Sequence, residues 1–161
     1  MPIYSLQAAV TTQAGANVFD TVLSLKFADT LGHRGRLRRL TISGGGAAPQ
    51  DLQVQARLAK SDNAGDGTEG DDKVADIVKL DPLSVASNVT IAGVSYTGDP
   101  TDMEAERYGL GGLNTRATVQ YDWVGDPDAP RWDRNEALNL ECAPGEATAA
   151  TLLIGIEWEE H

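Results

Sequence analysis

The stretch LQVQARL, residues 52–58, decides the fold: Leu52, Val54, Ala56 and Leu58 alternate without exception with Gln53, Gln55 and Arg57. A period of two sends successive side chains to opposite faces of a strand, so one face meets a core and the other meets water. The same alternation fills LNTRATV, residues 113–119, and continues to Tyr121 and Trp123, which predicts one long strand there. Upstream, Tyr4, Leu6, Ala8 and Val10 share one face of a first strand. Phe19, Thr21, Leu23, Leu25 and Phe27 share a face of the next, with Asp20, Ser24 and Lys26 opposite. Leu40 and Ile42 open another core face, and Leu37 stands out of phase with them, which predicts a bulge or a late strand start near Arg38. Downstream, Leu138, Leu140 and Cys142 form a shorter strand, and Leu152, Ile154, Ile156 and Trp158 the last.

Polar breaks separate these segments. Turns are predicted at 29–35 and where Gly44, Gly45, Gly46 and Pro49 stop a strand. The glycine- and acid-rich stretch 61–73 has too little apolar surface to bury and reads as a mobile loop. Residues 74–80 form a strand or a short helical turn ended by Pro82, while Val89, Ile91, Val94 and Tyr96 suggest a strand kinked at Gly93. Residues 98–112 read as a loop with at most a short helix through 103–108, and 125–134 as a Pro- and Asp-containing excursion.

Eight or nine short strands without a sustained helical period predict an all-β chain, an antiparallel two-sheet β-sandwich, jelly-roll-like, with long polar loops. An up-and-down barrel is the alternative. The length of 161 residues suits a single domain, 1–161, with residues 1–10 as an extended arm or edge strand. Glu157, Glu159 and Glu160 would discourage edge-to-edge pairing if the last strand lies at an edge.

A formal net charge of −11 repels phosphate backbones, so no nucleic-acid partner is expected. No apolar run is long enough for a membrane span and no signal peptide opens the chain, so the expected product is soluble, unprocessed and without a membrane partner. The lone Cys142 closes no internal disulfide and reads as a small buried residue. Asp62, Asp66, Glu69, Asp71 and Asp72 crowd one stretch with oxygen ligands of the kind Ca²⁺ takes. Ala64 and Lys73 break the EF-hand spacing, so a solvated acidic loop competes with a calcium site. Two further acidic groups, Asp99, Asp102, Glu104 and Glu106, then Asp126 and Asp128, read as surface. His33 and His161 fit no metal spacing, and no nucleophile elbow or phosphate loop is present, so neither catalysis, cofactor nor metal is expected.

Arg34, Arg36, Arg38 and Arg39 form the one basic cluster of an acidic chain. They are either a docking surface for an acidic neighbour or the ion-pair partners of carboxylates on an adjacent strand. Tyr108, Tyr121, Trp123 and Trp132 are either core and strand-pair aromatics or contacts for a sugar or an interface.

The order of segments resembles that of small auxiliary or decoration virion proteins of tailed bacteriophages. The likeness lies in the basic strand at 36–43, the Pro-preceded strand at 49–57, GLNTRATVQYDWV at 112–124 and ALNLECAPGEATAATLLIGIEWEE at 137–160. In such proteins a Leu-Asn-x-Arg-Ala-Thr strand precedes two more, the last ending in an acidic pair. The acidic middle and DPDAPRWD at 126–133 depart from that pattern. The resemblance implies a β-sandwich on the capsid exterior, commonly a homotrimer, whose partners are its own copies and the major capsid protein. It implies a non-enzymatic cement that stabilises the shell. The contacts expected for that role are the N-terminal strand at Tyr4 and Leu6 and the arginines Arg34, Arg36, Arg38 and Arg39. The alternative function is a tail or fibre recognition module that binds a host glycan through Tyr108 and Trp132.

Overall fold

The computed structural model describes residues 1–28, 32–45, 50–62 and 67–161, with 105 and 106 described by their backbone alone. Residues 29–31 of the expected turn, 46–49 of the glycine-proline stop and Asp66 of the acidic stretch lie outside the described residues. The fold is all-β. Its strands are β1 (Ile3–Thr11), β2 (Asp20–Phe27), β3 (Arg34–Gly44), β4 (Gln53–Ser61), β5 (Asp71–Asp72), β6 (Val78–Lys79), β7 (Val89–Val94), β8 (Met103–Asn114), β9 (Thr118–Asp122), β10 (Arg131–Asp133), β11 (Ala137–Pro144) and β12 (Thr151–Glu160). Among the described residues the helical content is a single 3₁₀ turn at Val74–Asp76.

Two antiparallel sheets stack face to face. The first runs β10-β3-β12-β1-β6, with β9 also on the free side of β3, and the second runs β5-β7-β2-β11-β4-β8. The alternation of each strand builds the core between them: Tyr4, Leu6, Leu40, Ile42, Ile154, Ile156 and Trp158 from the first sheet meet Leu23, Leu25, Val54, Leu58, Leu138 and Leu140 from the second. Tyr4 stacks on Trp158 with ring centroids 5.9 Å apart, and Phe27 on Trp132 at 5.3 Å. Such pairs add about 0.5–1.5 kcal/mol to what burial alone supplies.

The bulge near Arg38 is present. Glu157 pairs with Arg39 and Trp158 with Leu37, so Arg38 is the extra residue, and both Leu37 and Leu40 reach the core. A second bulge lies in β2, where Leu140 pairs with Leu23 and Glu141 with Thr21, leaving Val22 over. It turns Thr21 to the outer face, where Glu141 stands, and carries Phe19 with it toward Arg57, whose guanidinium sits 3.8 Å from the Phe19 ring centre. The expected single face from Phe19 to Phe27 is thus split at Val22.

Other expectations are corrected. The alternation of 113–119 spans a turn, because β8 ends at Asn114 and β9, in the opposite sheet, begins at Thr118. Asn114 Oδ1 accepts the Arg116 backbone N–H at 2.8 Å, a local bond that ends the strand. Residues 103–112 belong to β8, which pairs along β4 and is neither loop nor helix. β7 is irregular at Thr90, between the pairs Lys26–Ile91 and Phe27–Val89, and is in register at Gly93. β12 lies between β3 and β1 at the centre of its sheet, so its acids have no edge to guard. Of the two expectations for residues 1–10, the edge strand holds along most of β1 and the extended arm does not: β1 pairs with β12 from Ile3 to Thr11, and on its other side with β6 at Tyr4 and Ser5 alone among the described residues.

The outer face of the second sheet is covered. β7 and β8 are separated by β2, β11 and β4, so the connection 95–102 must cross all three. On the way Tyr96 N–H donates to Thr21 O at 3.2 Å, Asp99 Oδ1 accepts Thr21 N–H at 2.7 Å, and Asp62 N–H reaches Asp102 O at 3.2 Å. Residues 67–70 run against it, with Thr68 N–H on Gly98 O at 2.7 Å and Thr97 N–H on Thr68 O at 2.8 Å. This described part of the acidic stretch is hydrogen-bonded structure, continued by the pairing of β5 with β7, and not the loose loop expected. Beneath the two segments every residue of β11 is buried, the polar Asn139 and Glu141 included.

Candidate functional site: a basic groove

The four arginines of the cluster are held on β3 and its flank, and each has a carboxylate. Arg34 Nε lies 3.1 Å from Asp133, Arg36 Nη1 3.3 Å and Arg38 Nη1 3.1 Å from Glu159, and Arg39 bridges Asp122 at 3.2 Å and Glu157 at 3.4 Å. The ion-pair reading of the cluster therefore holds for all four. Strand register explains it, because β12 and β9 place Glu157 and Asp122 on either side of Arg39 in one cross-strand row. The Arg39 and Val124 contacts of Asp122, the backbone N–H first, hold its carboxyl below the usual range.

The next comparable row is composed differently. Arg131 on β10 stands directly opposite Arg36, and Arg36 opposite Glu159. Two cations and one carboxylate occupy the places that carboxylate, cation and carboxylate fill at Arg39. Among the described residues Arg131 has no carboxylate partner; its Nη2 donates to the Pro127 carbonyl at 3.0 Å.

Around this row the surface is hollow. A cavity of about 400 Å³ is lined by Arg34, Gly35, Arg36, Lys60, Arg131, Asp133, Glu136 and His161. It shares Arg34, Asp133 and His161 with a second hollow that adds Gly32, His33 and Arg134. At its other end it shares Lys60 and Arg131 with a third that adds Tyr108, Pro127, Asp128 and Ala129. The three make one groove along the β10 edge. Arg34, Arg36, Lys60, Arg131 and Arg134 are five of the thirteen lysines and arginines of the chain, set against three lining acids, Asp128, Asp133 and Glu136, with Glu159 and Glu104 paired to Arg36 and Lys60 from the side. Lys60 is partly buried, which favours the neutral amine, but Glu136 and Glu104 at 3.6 and 3.4 Å outweigh burial and hold its pKa above the ordinary value. Its charge is therefore kept across the physiological range.

The groove gathers some of the expected site residues and leaves others out. Arg34 and Arg36 line it, whereas Arg38 and Arg39 belong to the ladder beyond Glu159. Tyr108, 39% exposed, forms one end. Trp132 is 1% exposed and packed on Phe27, so its ring is a core group with no face for a sugar. Tyr4 and Leu6 are also core, and their side chains meet Trp158 and the second sheet, not a neighbour. Sequence reasoning missed Lys60, Arg131 and Arg134, which lie far from the arginine cluster in the chain. A signal existed in Arg131 and Arg134, which flank Trp132 inside an otherwise acidic excursion.

The acidic stretch divides between two places. Asp62 joins Glu104 and Glu136, with carboxylate oxygens within 4.8 Å of one another, but the Lys60 ammonium stands beside the last two. Glu69, Asp71 and Asp72 lie at the β5 edge, where Lys73 pairs with Asp71. The Glu69 carboxyl is raised, by burial first and then by Asp72 and Asp71. Among the described residues these acids stand in two separate groups.

A second exposed feature faces the other way. β6 is the edge opposite β10, and on it and the following loop Val78, Leu80, Leu83 and Val85 stand exposed, Leu83 by 94%. They form an apolar ridge of the kind that marks contact surfaces. Comparison with models of known families and with curated protein sequences gave no match.

Proposed function

We propose that this chain is a non-enzymatic structural protein of a phage virion, a cement on the capsid exterior that engages the major capsid protein and its own copies, as a homotrimer. The observation that carries this reading is the basic groove on a chain of net charge −11. A concentrated cationic site on a repelling surface selects for an acidic neighbour in one orientation. The apolar ridge at the opposite edge supports a second, separate contact, suited to copies of the chain. Each bound copy favours the assembled shell by mass action, and weak contacts repeated over a lattice sum to a large total. The double sheet suits a load-bearing role, with each of the four clustered arginines tied to a carboxylate. The alternative of a glycan-recognition module loses its main support with Trp132 in the core, since Tyr108 alone offers no aromatic platform.

The test is to add purified chain to tailed-phage capsids that lack their outer proteins and image the particles. Regular density of this size on the shell lattice is expected, with greater resistance of the shell to heat. Particles that stay bare, with the chain instead on tails or on host glycans, would refute the proposal.

A further inference from the structure

We propose that the groove is a carboxylate-binding site, and that its occupant is an extended acidic segment of a partner protein seated between Arg36, Arg131 and Lys60. The inference deepens the reading of the groove as the docking surface and rests on it. Its argument is the contrast between two rows of the same sheet. In the row Asp122, Arg39, Glu157 the central cation is flanked by carboxylates on both sides. In the row Arg131, Arg36, Glu159 the outer carboxylate is replaced by a second guanidinium, a like-charge pair directly across strands that is unfavourable by itself. Lys60 adds a third cation to the same cavity. A carboxylate entering there completes the alternation that the chain builds for itself one row away.

The form of the site narrows the ligand. Guanidinium forks match carboxylates in a planar, two-pronged way. Arg57 shows this within the chain by meeting both oxygens of Glu141 through Nε and Nη2. The three joined hollows make a track for several residues in line, with Tyr108 at one end and His33 at the other, longer than a single small anion needs. A nucleic acid would bring its charge against the acidic remainder of the surface, and contact between copies of the chain falls on the apolar ridge at the opposite edge. A short acidic segment confined to the groove avoids the cost of charge spread over the rest of the surface.

The test uses the full chain and a hexaglutamate peptide, with inorganic phosphate, a short DNA duplex and hexalysine as comparisons, followed by calorimetry and by NMR of arginine side chains. Hexaglutamate should bind, shift the Arg36 and Arg131 signals, and lose at least tenfold in affinity as salt rises from about 0.02 to about 0.3 M. Arg131→Gln, at an exposed position whose folding is checked by thermal unfolding, should weaken binding about tenfold, and Arg131→Gln with Lys60→Gln further. Arg116→Gln, distant and exposed, should not. No peptide binding at low salt, unchanged affinity in Arg131→Gln, or tighter binding of phosphate or DNA than of hexaglutamate would overturn the proposal. So would concentration-dependent self-association that Arg131→Gln abolishes, which would make a second copy the occupant. Peptide binding with bare capsids would leave the carboxylate site standing and refute only the capsid role.

Discussion

The indole of Trp132 occupies the space where a side chain of residue 35 would stand: a Cβ on Gly35 would lie 2.5 Å from Trp132 Cζ2 and 2.6 Å from Phe27 Cε2. Gly35 and Trp132 are also a cross-strand pair, so β10 is drawn onto β3 by a ring that needs a bare backbone beneath it. Two of the groove's guanidiniums, Arg36 and Arg131, follow and precede this pair on the two strands. Gly35→Ala should therefore destabilise the chain by about 1–3 kcal/mol, the usual cost of overpacking. Denaturant unfolding measures the loss, and the same variant should weaken peptide binding because β10 carries Arg131.

Glu141 is 5% exposed on the covered face of β11 and is held by two cations. Arg57 donates to it through Nε at 2.7 Å and Nη2 at 3.3 Å, and Arg107 Nε lies 3.3 Å away. Removing one member of such a cluster leaves uncompensated charge in a desolvated place. Glu141→Ala should cost about 3–5 kcal/mol in equilibrium unfolding. Replacing Glu141 and Arg57 together should cost less than the two single changes added, and a double-mutant cycle that shows simple additivity would count against the coupling.

Deleting Arg38 should remove the bulge and leave a regular strand, with Leu37 still opposite Trp158 and Leu37 and Leu40 two residues apart on the core face. A loss of only about 1–2 kcal/mol, from the Arg38–Glu159 pair and the Trp123 N–H bond to Arg38 O, is expected in thermal or denaturant unfolding. Arg38→Ala should keep the bulge and the Trp123 bond and lose about 1 kcal/mol or less.

The bulge was legible in the sequence because Leu37 and Leu40 are both strongly apolar and their spacing fits no regular strand. The bulge at Val22 was not, since Thr21 is compatible with either face and Phe19 looks like a core residue until Arg57 is found beside its ring. The turn at Asn114 hid for a related reason. Alternation is blind to a change of sheet when the turn residues, Thr115 to Ala117, continue the apolar-polar rhythm by accident of composition. The arginine cluster was visible as a cluster, but its division into a paired ladder and a groove depends on Lys60 and Arg131, which only the packing of β4 and β10 brings near Arg36. The fold was therefore readable from local periodicity, and the site was not, because its cations come from distant segments.

Burial pushes the Tyr96 phenol up to about 12, with Ser24 acting in the opposite sense and Glu69 and Asp72 adding to the rise. The protonated phenol is favoured in the folded chain. Below the ordinary value of about 10 both folded and unfolded chains hold the proton, and the stabilisation is fully present. Between about 10 and about 12 the unfolded chain ionises first, so stability falls as pH rises through that window. Tyr96→Phe should flatten this alkaline slope, as measured by unfolding midpoints at stepped pH. Cys142, buried and also raised to about 12, should react with a thiol reagent only at the rate of global unfolding.

The segments 67–70 and 95–102 are held to each other and to β2 and β4 by a handful of backbone bonds, while the core lies on the far side of the sheet beneath them. Lifting this outer layer would wet Ser24, Asn139 and Glu141 without parting the two sheets. The molecule thus contains a shallow opening that is independent of its deepest one. Amide protons of Thr68, Gly70 and Thr97 should exchange through the shallow route, orders of magnitude sooner than those of β11.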